Sequence, residues 1–133
     1  MMTLRDVSEW MEDKISNATW RINSYDRSLE KVICTRNLAS ARDNMTIGGL
    51  ANKSTAVKGI SIIVHWSKNP DETEKIAQSV YELFNGQKPL ISGYQVVLCK
   101  MRNDEPISLG IDDSGIFDYV IELWITYQRD RKE

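Results

Sequence analysis

Residues 55–86 constrain the fold more than any other stretch, because one backbone period gives way to another within a few positions. Thr55 to Trp66 is rich in β-branched side chains (Thr55, Val57, Ile60, Ile62, Ile63, Val64) and reads as one long strand. Its consecutive apolar centre, Ile62-Ile63-Val64, leaves no polar face for solvent. The strand is therefore expected inside a sheet, covered on both faces. Gly59 within it is expected to mark a bulge or bend. The period then changes. Asn69-Pro70-Asp71-Glu72 supplies a capping side chain, a proline in the first turn and two acids at the positive end of the helix dipole. Ile76, Ala77, Val80, Leu83 and Phe84 follow on one helical stripe, and Asn85-Gly86 provides a left-handed stop.

The flanking segments extend this unit in both directions. Thr3 and Asp6 form a weak capping box, after which Leu4, Val7, Met11 and Ile15 recur at helical spacing, so residues 4–16 are expected to be helical. From Thr19 the period is two. Trp20 and Ile22 form one short strand, Ser24 to Ser28 a turn, and Val32-Ile33-Cys34-Thr35 a second strand, which together suggest a hairpin. Residues 37–54 have no period and contain Gly48-Gly49, yet they carry Met45, Ile47 and Leu50. These three apolar side chains either tuck onto the chain's own core or form the candidate subunit interface. Tyr94 to Met101 is a further strand, Arg102 to Pro106 a polar loop and Leu109 to Gly115 a turn-rich segment. Ile116 to Gln128 is a last strand long enough to pair with more than one partner. The order predicts an α+β fold with a mostly antiparallel sheet of about five strands and two main helices packed on one face. At 133 residues the chain has the length of a single domain, 1–133, with a long loop at 37–54 and a charged tail at 129–133.

Chemistry-bearing motifs are sparse. Seventeen basic residues against nineteen acidic ones give a net charge of −2, without the basic excess expected of a nucleic-acid binder. The longest apolar run, Ile62-Ile63-Val64, is far too short to span a bilayer. Met1 to Asp6 lacks the pattern of a secretory signal, so cytoplasmic synthesis is expected. No cofactor motif is present: Gly48-Gly49 is followed by no Lys-Ser/Thr at phosphate-loop spacing. No local spacing suits a metal either, since His65 is the only histidine. His65 reads as a strand histidine satisfied by its neighbours, and Asp112-Asp113 as a solvated turn. A catalytic reading would have to join His65 to Asp112 or Asp113. Cys34 and Cys99 read as buried free thiols, with a disulfide left open. Trp10, Trp20, Trp66 and Trp124 fall within regular elements, as core or interface anchors.

Three stretches carry a resemblance to a known family. They are Ile60-Ser61-Ile62-Ile63-Val64-His65-Trp66-Ser67 running into Asp71…Ala77…Val80-Tyr81-Glu82-Leu83-Phe84, then Glu105-Pro106-Ile107-Ser108-Leu109-Gly110-Ile111-Asp112-Asp113-Ser114-Gly115, and the closing Tyr119 to Tyr127. Their order and spacing over residues 55–128 resemble the small minor capsid or tail-terminator (head–tail joining) proteins of long-tailed bacteriophages and prophages. The chain departs from that pattern in lacking a proline around Met45 to Lys53 and in placing Ile116 where a basic residue is common. The resemblance implies a non-enzymatic virion protein, assembled in the host bacterial cytoplasm. It further implies a ring of typically six copies that stops tail-tube growth and docks the head connector, with no cofactor. The alternative is a small cytoplasmic module that clasps a peptide or ligand with residues 42–53.

Overall fold

The structure, a computed structural model, describes residues 1–39 and 54–130. In chain order the elements are α1 (Leu4–Glu12), β1 (Thr19–Ile22), β2 (Val32–Asn37), β3 (Thr55–His65), α2 (Pro70–Phe84), β4 (Leu90–Ile91), β5 (Tyr94–Met101), β6 (Ile107–Ile111) and β7 (Phe117–Gln128). The strands form one mixed sheet in the order β1-β2-β3-β7-β5-β4, with β6 also paired to β7. The α+β class and the two helices match the sequence reading. The sheet is larger than the expected five strands, having seven, and it is mixed.

Both helix starts follow from their capping residues. The Thr3 hydroxyl accepts the Asp6 N–H at 3.1 Å while the Asp6 carboxylate accepts the Thr3 N–H at 2.9 Å. The helix ends at Glu12, four residues earlier than its periodicity suggested. There the Lys14 N–H bonds the Met11 carbonyl, a three-residue closure that tightens the chain out of the α-ladder. Ile15 still packs against the core from outside the helix. On α2 the Asn69 side chain accepts the N–H groups of Asp71 and Glu72, and the helix runs to Phe84 as its stripe requires.

One face of the sheet carries the core. Leu4, Val7 and Met11 of α1 and Ala77, Val80, Tyr81 and Phe84 of α2 pack with Ile33, Ile60, Ile62, Val64, Ile121, Leu123 and Ile125. Trp66 closes this layer, its indole donating to Glu72 Oε1 at 2.9 Å, and Trp10 stacks on Phe84 at 5.3 Å between ring centres. Trp124 belongs to the opposite face, where its indole donates to the Ala39 carbonyl at 3.1 Å.

Three further expectations are corrected. β1 and β2 do not form a hairpin: they pair in parallel, with Thr19 opposite Val32 and Ile22 opposite Thr35. Because β1 is only four residues long, residues 23–31 suffice to carry the chain back to its starting end without a helix. Extended chain covers about 3.3 Å per residue, well over the length to be retraced. Asn23 (φ 70°) and Lys31 (φ 59°) make the two reversals. The second correction is Gly59, which marks no bulge, since β3 keeps an unbroken register with β2 and with β7. A Cβ there would lie 2.6 Å from the Leu38 carbonyl oxygen and 3.1 Å from the Trp124 ring, so the glycine permits close approach. Thirdly, the segment read as turns contains β6; one more unpredicted element, β4, pairs Leu90-Ile91 with Tyr94-Gln95. The bulges lie in β5 between Val96 and Leu98 and in β6 between Ser108 and Gly110.

Cys34 and Cys99 are free, buried, and by strand register on opposite faces of the sheet. Burial pushes the Cys99 thiol up to about 11; it also raises Cys34, against the opposing effect of Arg36. A thiol reagent at pH 8 is expected to label neither cysteine in the native protein and both in guanidinium, read by mass spectrometry. Val80 is fully buried in the core. Val80→Asp should cost roughly 3–5 kcal/mol as an uncompensated buried charge, a large share of the ~5–15 kcal/mol of a typical fold. A near-native melting temperature by circular dichroism would contradict that assignment.

Candidate functional site

The face of the sheet opposite the helices holds a polar group that no local motif announced. The β3–β7 register places His65 directly opposite Asp118. His65 is fully buried, and its Nδ1 lies 2.5 Å from Asp118 Oδ1. Its Nε2 faces the Arg27 carbonyl oxygen at 2.9 Å, because the 23–31 connection crosses this face. Tyr25 from the same connection sits 5.1 Å from the imidazole, and the guanidinium groups of Arg27 and Arg36 lie against the Tyr25 ring. Burial, followed by the nearby Asp118 charge, raises the Tyr25 hydroxyl above its ordinary value despite those two cations.

Asp112 completes the group from the β6–β7 turn. Its Oδ1 accepts the N–H groups of Ser114 (2.9 Å) and Ile116 (3.0 Å), which fixes the carboxylate. Its Oδ2 is buried without a hydrogen-bond donor and lies 3.7 Å from His65 Nδ1. Desolvation alone would raise this carboxyl. The Ile116 and Ser114 N–H groups, with smaller electrostatic contributions from His65 and Arg27, outweigh it and hold Asp112 below the usual carboxylate value. Asp113 is exposed, as a solvated turn residue should be, whereas Asp112 is not the solvated side chain expected of it. The group borders a cleft of about 650 Å³ lined by Tyr25, Arg36, Leu109, Ile111, Asp112 and Asp118, among others.

The catalytic reading gains nothing from this geometry. His65 is satisfied by its neighbours, as read from the sequence, although the partners are Asp118 and a distant carbonyl rather than residues next in chain. Both ring nitrogens are already engaged, so neither is left to activate a nucleophile. Asp118 carried no signal of its own in the sequence; only the pairing of two long strands brings it to His65.

A second feature is the outer edge of the sheet. β5 and β6 lie end to end along one side of β7, β5 against Leu123 to Tyr127 and β6 against Phe117 to Val120. Arg102 bridges the joint, its N–H to the Glu122 carbonyl and its guanidinium to Glu122 Oε1 at 2.8 Å. Among the described residues no strand pairs with the outer side of β6. Leu98, Ile107, Leu109 and Ile111 there are 50, 40, 54 and 60% exposed. The interface candidates Met45, Ile47 and Leu50 lie outside the described residues.

No helix among the described residues is long and apolar enough to cross a membrane. No curated protein matches the chain. Residues 1–129 match the family model described as bacteriophage tail terminator protein, nearly the whole chain. That family is a structural one with a role in the phage tail and head–tail connection, and it is not an enzyme family. Its members meet head and tail proteins of the virion. With residues 1–129 covered, the chain belongs to the bacteriophage tail terminator protein family.

Proposed function

We propose that this protein closes the tail tube as a ring of copies, typically six, at the head–tail junction, and does no catalysis. The tube end and the head connector are its partners, and assembly takes place in the host bacterial cytoplasm. A closed ring requires a heterologous contact, in which one patch meets a different patch on the next subunit. The β5–β6 edge supports this reading best. Isolated edge strands are normally guarded by charges or prolines, because open backbone groups recruit other strands. β6, Ile107-Ser108-Leu109-Gly110-Ile111, has neither, and it exposes three large apolar side chains. Gly110, at φ 86°, lets the strand bulge and twist without a side-chain penalty, so the edge is shaped rather than flat. In this reading Met45, Ile47 and Leu50 add apolar groups to the same assembly surface. A net charge of −2 gives no electrostatic reason for DNA to adhere as it passes through the ring.

The test uses purified protein with tail tubes, viewed by electron microscopy, alongside light scattering for mass. Wild type should cap tube ends or form rings. Leu109→Asp and Ile111→Asp are expected to abolish capping while shifting the melting temperature little, since both side chains are more than half exposed. Ile47→Asp should behave in the same way. Undiminished capping by Leu109→Asp and Ile111→Asp would remove the β6 edge from the interface. A wild-type protein that stays monomeric and ignores tubes would overturn the ring.

A further inference from the structure

We infer that His65, Asp112 and Asp118 form a binding site for one divalent transition-metal ion, with zinc the first ion to test. The three side chains each offer one donor atom, and these atoms all lie within 4.8 Å of one another. The hydrogen bonds fix how the donors are presented. Arg27 offers His65 only a carbonyl oxygen, which accepts, so Nε2 carries a proton and donates it at 2.9 Å. That leaves Nδ1 turned toward two carboxylates. Histidine ligands of metals are braced in this way, with the far N–H on a backbone carbonyl or carboxylate.

Geometry and charge together favour a cation here. Asp118 Oδ1, Asp112 Oδ2 and His65 Nδ1 converge in a space where Asp112 Oδ2 is buried and receives no hydrogen bond. A second proton on His65 offsets one of the two negative charges and satisfies Asp118 alone. A divalent ion offsets both, and it gives the orphaned Asp112 oxygen a partner. One imidazole nitrogen with two carboxylate oxygens suits zinc or manganese, whereas magnesium and calcium prefer oxygen alone. Bonds of about 2.1 Å require donors about 3–3.5 Å apart, so binding draws Asp118 slightly away from the imidazole and Asp112 toward it. The cleft that Asp112 and Asp118 line admits water to complete the shell. The ion ties β3, the start of β7 and the β6–β7 turn together, and through Arg27 it reaches the 23–31 connection. It therefore stiffens the root of the exposed β6 strand, and this inference stands independently of the ring.

The chain has a single histidine, so its ring signals need no assignment. The experiment is zinc titration of the full-length apo-protein at pH 7.5 by calorimetry, with imidazole ¹⁵N spectra and zinc X-ray absorption on the product. The expected result is saturable one-to-one binding, a raised melting temperature, metal on Nδ1 with Nε2 still protonated, and a shell of nitrogen and oxygen only. Asp112→Asn is the informative variant: its amide oxygen can still accept from Ser114 and Ile116, but its NH₂ replaces the orphaned oxygen. It should keep the apo melting temperature and lose on the order of tenfold or more in affinity. Absence of saturable binding, full-affinity binding by Asp112→Asn, an imidazole unchanged by zinc, or sulfur in the shell (which would point to Cys34 or Cys99) would each overturn the site.

Discussion

The ladder between β3 and β7 is the constraint on which the rest of the structure depends. It pairs eleven positions without a break, from Thr55 opposite Gln128 to His65 opposite Asp118. In an antiparallel pair, directly opposed residues share a face, so this one register decides what lies on each side of the sheet. Ile60 opposite Leu123, Ile62 opposite Ile121 and Val64 opposite Tyr119 build the helix-covered core. Gly59 opposite Trp124 and His65 opposite Asp118 occupy the other face. A slip of one residue would exchange the two sets, which places the buried His65–Asp118 pair under the same control as the core.

The length of β7 has a further consequence. Twelve residues are more than one neighbour can use, and its second edge is divided between β5 and β6. The joint at Arg102 to Pro106 and the two bulges turn what would be one long strand into two pieces of different exposure. β5 carries core residues Tyr94, Val96 and Cys99, while every residue of β6 is exposed. The sheet thus ends in a short strand held by β7 on one side, with apolar side chains turned outward. Such an edge leaves apolar surface that the fold itself does not cover.

The polar group around His65 and the edge meet at the β6–β7 turn. Asp112 shapes that turn through its Oδ1 and reaches the buried histidine with its Oδ2. The anchoring of an exposed strand and the electrostatics of a buried group are thereby carried by two oxygens of one side chain. Loss of the carboxylate charge and loss of the turn are separable events, because an amide can still serve the turn.

The sequence by itself determined the elements whose signals are local: the capped start of α1, the whole of α2 from Asn69 to Gly86, the central strand β3, the long β7, and the buried state of Cys34 and Cys99. Caps, helical periodicity and continuous β-branched runs act over a few residues, so they can be read where they stand. The sequence also carried the family resemblance, through the order of those elements. The direction of β1 relative to β2 was decided only by the fold, since a period of two is the same for parallel and antiparallel pairs. β6 was hidden because its glycine and neighbouring acids imitate a turn, and only pairing with β7 makes it a strand. The grouping of His65, Asp112 and Asp118 likewise exists only in three dimensions. Asp118 lies 53 residues from His65 in sequence and meets it solely because two long strands hold one register.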